Sequence, residues 1–154
     1  MKIKCFLWSA LQNCLKTWNN LVKNYWYGPS LCTLCKKDSE SIEHLSINYR
    51  FTIEIWKKAC LALKISEVWE GGNFDHCVFQ WYKNCKIFHT LPARISWKIW
   101  KVRNVSIFED QLQDTDSIFL QFTKLEREFS SRSDAITKPR ILKDIEFNGV
   151  VGLL

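Results

Sequence analysis

Apolar residues recur at helical spacing from the start of the chain. Ile3, Phe6, Leu7 and Ala10 lie three and four apart, and Leu11 and Cys14 continue the stripe, which predicts a first helix with one side facing a core. Thr17 is placed to cap a second helix whose apolar face is Trp18, Leu21, Val22 and Tyr25. "YGPS" at 27–30 then breaks the pattern, because Gly-Pro marks a turn. After a tight turn or short hairpin, Asp38, Ser39 and Ser41 offer caps for a short helix carrying Ile42, Leu45 and His44. Thr52 begins the next, with Ile53, Trp56, Ala59 and Cys60 on one side and Lys57 and Lys58 outside.

"EGGN" at 70–73 is the clearest internal break. Beyond it Phe74, Val78, Trp81 and Tyr82 return to helical spacing, followed by Cys85. Pro92 suits the first turn of a long helix, since it lacks only an amide that would be unpaired there. That helix, "PARISWKIWKVRNVSIFEDQ", places Ile95, Ile99 and Val102 on one face and Arg94, Lys98 and Lys101 on a neighbouring one. Asp114 or Thr115 caps a last helix with Ile118, Phe119, Phe122, Leu125 and Phe129 inward. From Ser130 the chain reads as a linker, with the final residues a strand or a frayed end. No βαβ alternation and no repeat is visible. The expected class is all-α: a small helical domain with an irregular Cys/His loop, followed by long helices. It divides into residues 1–65, a helical extension at 66–130, and a linker and tail at 131–154.

Composition agrees with a packed core. Of 154 residues 47% are hydrophobic, and eight are Trp, too many for a disordered chain. The seven cysteines are an odd number, and "MKIKCFLWSALQN" lacks a signal-peptide core, so a reducing, intracellular setting (nuclear or cytoplasmic, not secreted) is expected. Cys5, Cys14, Cys60, Cys77 and Cys85 are read as buried thiols. No apolar run is long enough to span a bilayer, so no membrane partner is expected.

Charge is unevenly placed. Residues 1–64 hold ten Lys and Arg against four Asp and Glu, and residues 76–108 hold six basic residues and no acid. Such stretches suit a phosphate backbone, though Lys and Arg that merely solvate helix faces give the same pattern.

The chemistry-bearing stretch is "GPSLCTLCKKDSESIEHLSINYRF", residues 28–51. Cys32 and Cys35 are two residues apart, and His44 follows after eight more. Zinc prefers tetrahedral sulfur and nitrogen ligands, and a Cys-x2-Cys turn sets two thiolates at the right separation. A fourth ligand is expected after four intervening residues beyond His44, where the chain offers Tyr49, a phenol that stays protonated at neutral pH. Plain thiols and a satisfied histidine fit the same spacing, and Cys60 reaches the knuckle only if its helix folds back. Glu43 is the nearest carboxylate, without an accompanying acid–base constellation, so no catalytic residue and no enzyme is expected.

These residues resemble the zinc-binding reverse-transcriptase module (zf-RVT) of plant LINE-type, non-LTR retrotransposons. Lys4, Phe6, Leu7, Trp8, Gly28, Pro29, Cys32, Cys35, Glu43, His44, Leu45, Phe51 and Trp56 match its order and spacing. "WKIWKVRNVSIFE" (Trp97, Trp100, Arg103, Asn104, Phe108, Glu109) looks like the segment that follows it, so the resemblance spans about residues 2–110. It implies zinc on Cys32, Cys35 and His44. Tyr49 stands where the family has its last cysteine, which implies a degenerate fragment of a decayed or domesticated element with a partly lost zinc site. It also implies a non-catalytic, sequence-tolerant module that holds RNA or DNA through phosphate contacts. The first basic group for that role is Lys36, Lys37, Arg50, Lys57 and Lys58. The second is Arg94, Lys98, Lys101 and Arg103, flanked by Trp97 and Trp100, whose indoles either stack on bases or belong to the core. The alternative is a helical protein-interaction or scaffold remnant that binds neither zinc nor nucleic acid.

Overall fold

The computed structural model describes residues 2–109 except 30, 67, 68 and 87, together with Leu120. Apart from Leu120, the expected last helix and the tail lie outside the described residues. The described residues form α1 (Lys2–Leu11), α2 (Trp18–Lys23), α3 (Arg50–Leu63), α4 (Phe74–Asn84) and α5 (Leu91–Phe108). A π-helical turn at His44–Asn48 precedes α3. Among the described residues there is no strand, only an isolated antiparallel bridge between Leu31 and Ser39. The all-α expectation holds.

α5 is the central element. Its sides pack against α1, α3 and the π-helical turn, while α1 also touches α4. Leu91, Ala93, Ile95, Ile99 and Val102 of α5 are buried, as are Phe6, Leu7 and Ala10 of α1 and Ile55, Trp56 and Ala59 of α3. Trp56, Trp69 and Trp81 form an aromatic box: Trp56 stacks on Trp69 with centroids 4.5 Å apart, and Trp81 leans on Trp56 at 5.0 Å. All these side chains belong to one continuous core. That core draws side chains from both sides of residue 65.

Three helices end in the same way. A residue in the left-handed region lets the next amide reach back five residues, capping the last carbonyls. At α1 it is Asn13 (φ 51°), at α2 Tyr25 (φ 62°) and at α3 Lys64 (φ 54°). The returning bonds run from Cys14 N–H to Ser9 O (2.8 Å), Trp26 N–H to Leu21 O (3.1 Å) and Ile65 N–H to Cys60 O (2.9 Å). None of the three is glycine, the residue that marks such stops in a sequence. The expected stripe accordingly runs too far twice. Cys14 lies past the end of α1 and is exposed with Cys5, correcting their reading as buried thiols; Cys77 and Cys85 are buried and Cys60 is half-buried. Tyr25 lies past the end of α2, a helix without a fully buried residue.

Candidate metal centre

The Cys-x2-Cys segment is folded by its own backbone. Cys32 N–H donates to Asp38 O at 2.7 Å beside the Leu31–Ser39 bridge, and Lys36 N–H returns to Cys32 O at 2.8 Å. Lys36 takes a left-handed φ of 55° to close the turn. This brings the two thiols to one side.

His44 comes from the π-helical turn, where Tyr49 N–H reaches His44 O at 2.7 Å across five residues. Such widened turns re-aim a side chain relative to an ordinary helix. Ser41 Oγ accepts from His44 N–H at 3.1 Å. Thr52 Oγ1 donates to Leu45 O at 2.5 Å, and Trp69 Nε1 donates to Ser46 O at 2.8 Å. The turn is thus held by α3 and by the aromatic box, and the imidazole is buried.

The ligand atoms of Cys32, Cys35 and His44 all lie within 4.8 Å of one another, and Cys35 Sγ is 3.4 Å from His44 Nε2. A tetrahedral zinc ion with ordinary Zn–S and Zn–N bonds needs ligand-to-ligand edges of about 3.5–3.8 Å. The three donors are of the type that zinc takes, and the Cys35 Sγ–His44 Nε2 separation is close to such an edge. Asp38 Oδ2 is 4.0 Å from His44 Nδ1, beyond hydrogen-bond distance but on the ring nitrogen opposite Nε2, which faces Cys35.

Protonation fits the same chemistry. Burial pushes the Cys32 thiol up to about 11, although backbone N–H groups of Cys35 and Leu34 favour its thiolate. Burial lowers His44, against Asp38 and Glu40, which raise it, and this favours the neutral imidazole that a metal ligand requires. A buried thiol in this state ionises when a cation supplies the missing positive charge. Tyr49 sits beside the set, its ring 5.7 Å from that of His44 and stacked on Phe51 at 5.8 Å. Burial, then the two cysteines, raise its pKa above the ordinary value. Tyr49 thus stands beside the three donors as a neutral phenol.

Cys35 and His44 open onto a cleft of roughly 440 Å³ that is also lined by Lys37, Asp38, Tyr49, Arg50 and Glu54. Neither Glu43 nor Cys60 joins the donor group. Cys60 has Cys85 for a neighbour, which with burial raises its pKa.

The basic residues separate by position. Lys36, Lys37, Arg50, Lys57 and Lys101 are exposed, while Lys58, Arg94 and Lys98 are half-buried. Burial and then the adjacent Lys101 lower Lys98. Trp97 and Trp100 pack on Phe6, with centroids at 5.3 and 6.2 Å, which places both indoles against the core.

Arg103 is the correction. It is 4% exposed and bound to Glu40, which is 0% exposed. Arg103 Nη2 lies 2.6 Å from Glu40 Oε1, and its Nε is 3.1 and 3.2 Å from the two carboxylate oxygens. Lys16 O and Asn104 Oδ1 take further guanidinium protons, each at 3.1 Å, and Trp100 lies under the cation at 4.8 Å. Glu40 also accepts from Trp18 N–H at 3.0 Å. A guanidinium so enclosed has no face left for a phosphate, so it leaves the nucleic-acid group. Sequence reasoning missed this pair. Glu40 lies in a loop without periodicity, and its partner is 63 residues away.

Comparison with known proteins agrees with this geometry. Neither the curated proteins nor the solved structures compared with the chain give a match. Residues 1–56 match the family model zf-RVT, zinc-binding in reverse transcriptase. That stretch holds Cys32, Cys35 and His44 and ends at Trp56, within α3. The match and the convergent donors together support a reverse transcriptase zinc-binding domain over residues 1–56.

Proposed function

We propose that the protein is a non-catalytic, sequence-tolerant nucleic-acid-binding module derived from the reverse-transcriptase polyprotein of a plant LINE-type element, acting inside the cell. Its zinc set is one cysteine short, with Tyr49 in the last position. Cys32, Cys35 and His44 would hold zinc, which when bound supplies the positive charge that keeps two thiolates together and cross-links the knuckle to the π-helical turn. The ion's role is structural.

The observation that carries this reading is the cleft in which Cys35 and His44 meet Lys37 and Arg50. A cross-link here holds two cations at one opening, where a phosphate backbone gains from counterion release. Arg50 also pairs with Glu54 at 3.3 Å, but both groups are solvent-accessible, and such a pair yields readily to a phosphate. Lys36 and Lys57 extend the basic surface. Lys58, Arg94, Lys98 and Lys101 form the secondary group.

Binding of labelled RNA and DNA across a salt series tests the proposal. The logarithm of the affinity is expected to fall linearly with the logarithm of salt, by roughly 0.7–0.9 per phosphate contact. Lys37→Ala and Arg50→Ala should each reduce that slope. Affinity independent of salt, or unchanged in both variants, would sink it.

A further inference from the structure

Tyr25, Trp26 and Tyr27 are three consecutive aromatic residues, 92%, 65% and 101% exposed. They belong to no core and to no helix. Exposed aromatics in a row cost solubility and suggest a surface that is covered in use.

The backbone holds this triplet outward. At its start, Tyr25 and Trp26 close the end of α2 through bonds from Tyr25 N–H to Val22 O (3.0 Å) and from Trp26 N–H to Leu21 O (3.1 Å). Tyr25 occupies the left-handed region at φ 62°, a position that favours glycine and penalises a bulky side chain. At the far end, Gly28 lies flat against Trp18, where any Cβ would collide with the indole ring. Trp18 is itself held, its Nε1 donating to Thr33 Oγ1 at 3.3 Å on the knuckle. The loop is therefore tied at both ends, with its rings outside and strain accepted at Tyr25.

Charge identifies the occupant. Residues 1–37 contain six lysines and no Asp or Glu. Lys23 is exposed in the last turn of α2, and Lys36 and Lys37 are exposed just beyond the cysteine pair. Flat rings in a wholly cationic segment suit a ligand that is aromatic and polyanionic, which is a single-stranded nucleic acid; a duplex keeps its base faces stacked inside. We infer that Tyr25, Trp26 and Tyr27 are a base-stacking platform for single-stranded nucleic acid, with Lys23, Lys36 and Lys37 engaging its phosphates. This rests on the proposed nucleic-acid reading and deepens it by naming the strand state and the residues that touch bases.

The test uses the full chain loaded with zinc, a labelled oligo-U, a labelled oligo-dT and a duplex of the same length. The variants are Tyr25→Gly, Trp26→Ala, Tyr27→Ala and Trp26→Phe, with Lys36→Ala/Lys37→Ala alongside. Tyr25→Gly removes a ring while relieving the left-handed backbone, so a loss of binding there is not a loss of fold. The expected result is tighter binding to the single strands than to the duplex, with a loss of about fivefold or more for each ring removed. Trp26→Phe should retain most of the affinity. The ring variants should leave the salt slope unchanged, and the lysine variant should lower it. Unchanged single-strand affinity in all three ring deletions overturns the platform while leaving phosphate binding intact. No binding to any oligonucleotide by the intact chain overturns both readings. Concentration-dependent dimerisation lost in Trp26→Ala, with oligonucleotide affinity unchanged, overturns it in favour of self-association.

Discussion

Two clusters of chargeable groups are buried on either side of the same short segment, and they solve the same problem differently. Cys32, Cys35 and His44 converge without a counter-charge among themselves. Glu40, between Cys35 and His44 in sequence, finds its counter-charge in Arg103 on α5. Burying an ionised group is costly unless something of opposite sign stays beside it. In one cluster the chain carries that group itself. In the other it would have to come from solution, so the knuckle is expected to gain stability with metal concentration and the ion pair is not. The two are joined mechanically: Asp38, whose carboxylate lies 4.0 Å from His44, accepts the Cys32 N–H through its backbone carbonyl, and Glu40 holds the start of α2.

The sharpest way to break the ion-pair side is Arg103→Met. It leaves Glu40 buried without its guanidinium, and a loss of about 3–5 kcal/mol in denaturant unfolding is expected. The double variant Glu40→Met/Arg103→Met should recover much of it, because neither charge then remains. Equal stability of Arg103→Met and the intact protein would show that the pair is not buried in solution.

On the metal side, a chelator should lower the stability of the intact chain by about 2.7 kcal/mol relative to zinc at a hundredfold excess over its Kd. That difference should vanish in Cys32→Ser and in His44→Ala. A chelator effect that persists in both variants would place the metal elsewhere.

Tyr49→Cys sharpens the contrast by supplying the missing thiolate. A gain in zinc affinity of roughly a hundredfold, read by competition with a coloured chelator, is expected. No gain means that the fourth position does not face the ion. Asp38→Asn should act in the opposite sense and more weakly, at no more than about tenfold, because it removes a negative charge 4.0 Å from His44 that is largely exposed.

The smallest effect lies where the aromatic box meets the π-helical turn. Trp69→Phe breaks the bond to Ser46 O, whereas the buried Trp56 Nε1 has no hydrogen-bond partner among the described residues. Trp69→Phe should therefore destabilise by about 1 kcal/mol more than Trp56→Phe. The reverse order would mean that Ser46 O is satisfied without the indole.

Much of this was legible in advance, and what was not has identifiable causes. The metal donors were legible because Cys32 and Cys35 are brought together by one turn and His44 by the next. α5 was legible from Pro92 and from Ile95, Ile99 and Val102, all buried. The inward face of α3 was partly mis-set. Ile53 was expected inside, yet it is exposed, and Ile55 is buried with Trp56 and Ala59. The helix begins at Arg50, directly after the widened turn, and no periodicity reports such a turn.

Residue order alone settled the local matters: helical class, the spacing that brings Cys32, Cys35 and His44 together, and the basic bias of the first 64 positions, each encoded within a few neighbouring residues. Tertiary structure decided which charges count as surface. Arg103 reads as one more cation on a helix until Glu40 arrives from a distant loop, and Tyr25 reads as core until α2 stops before it. In both cases the deciding energy is desolvation. It depends on what packs around a group, and that is set by chain segments far away in sequence.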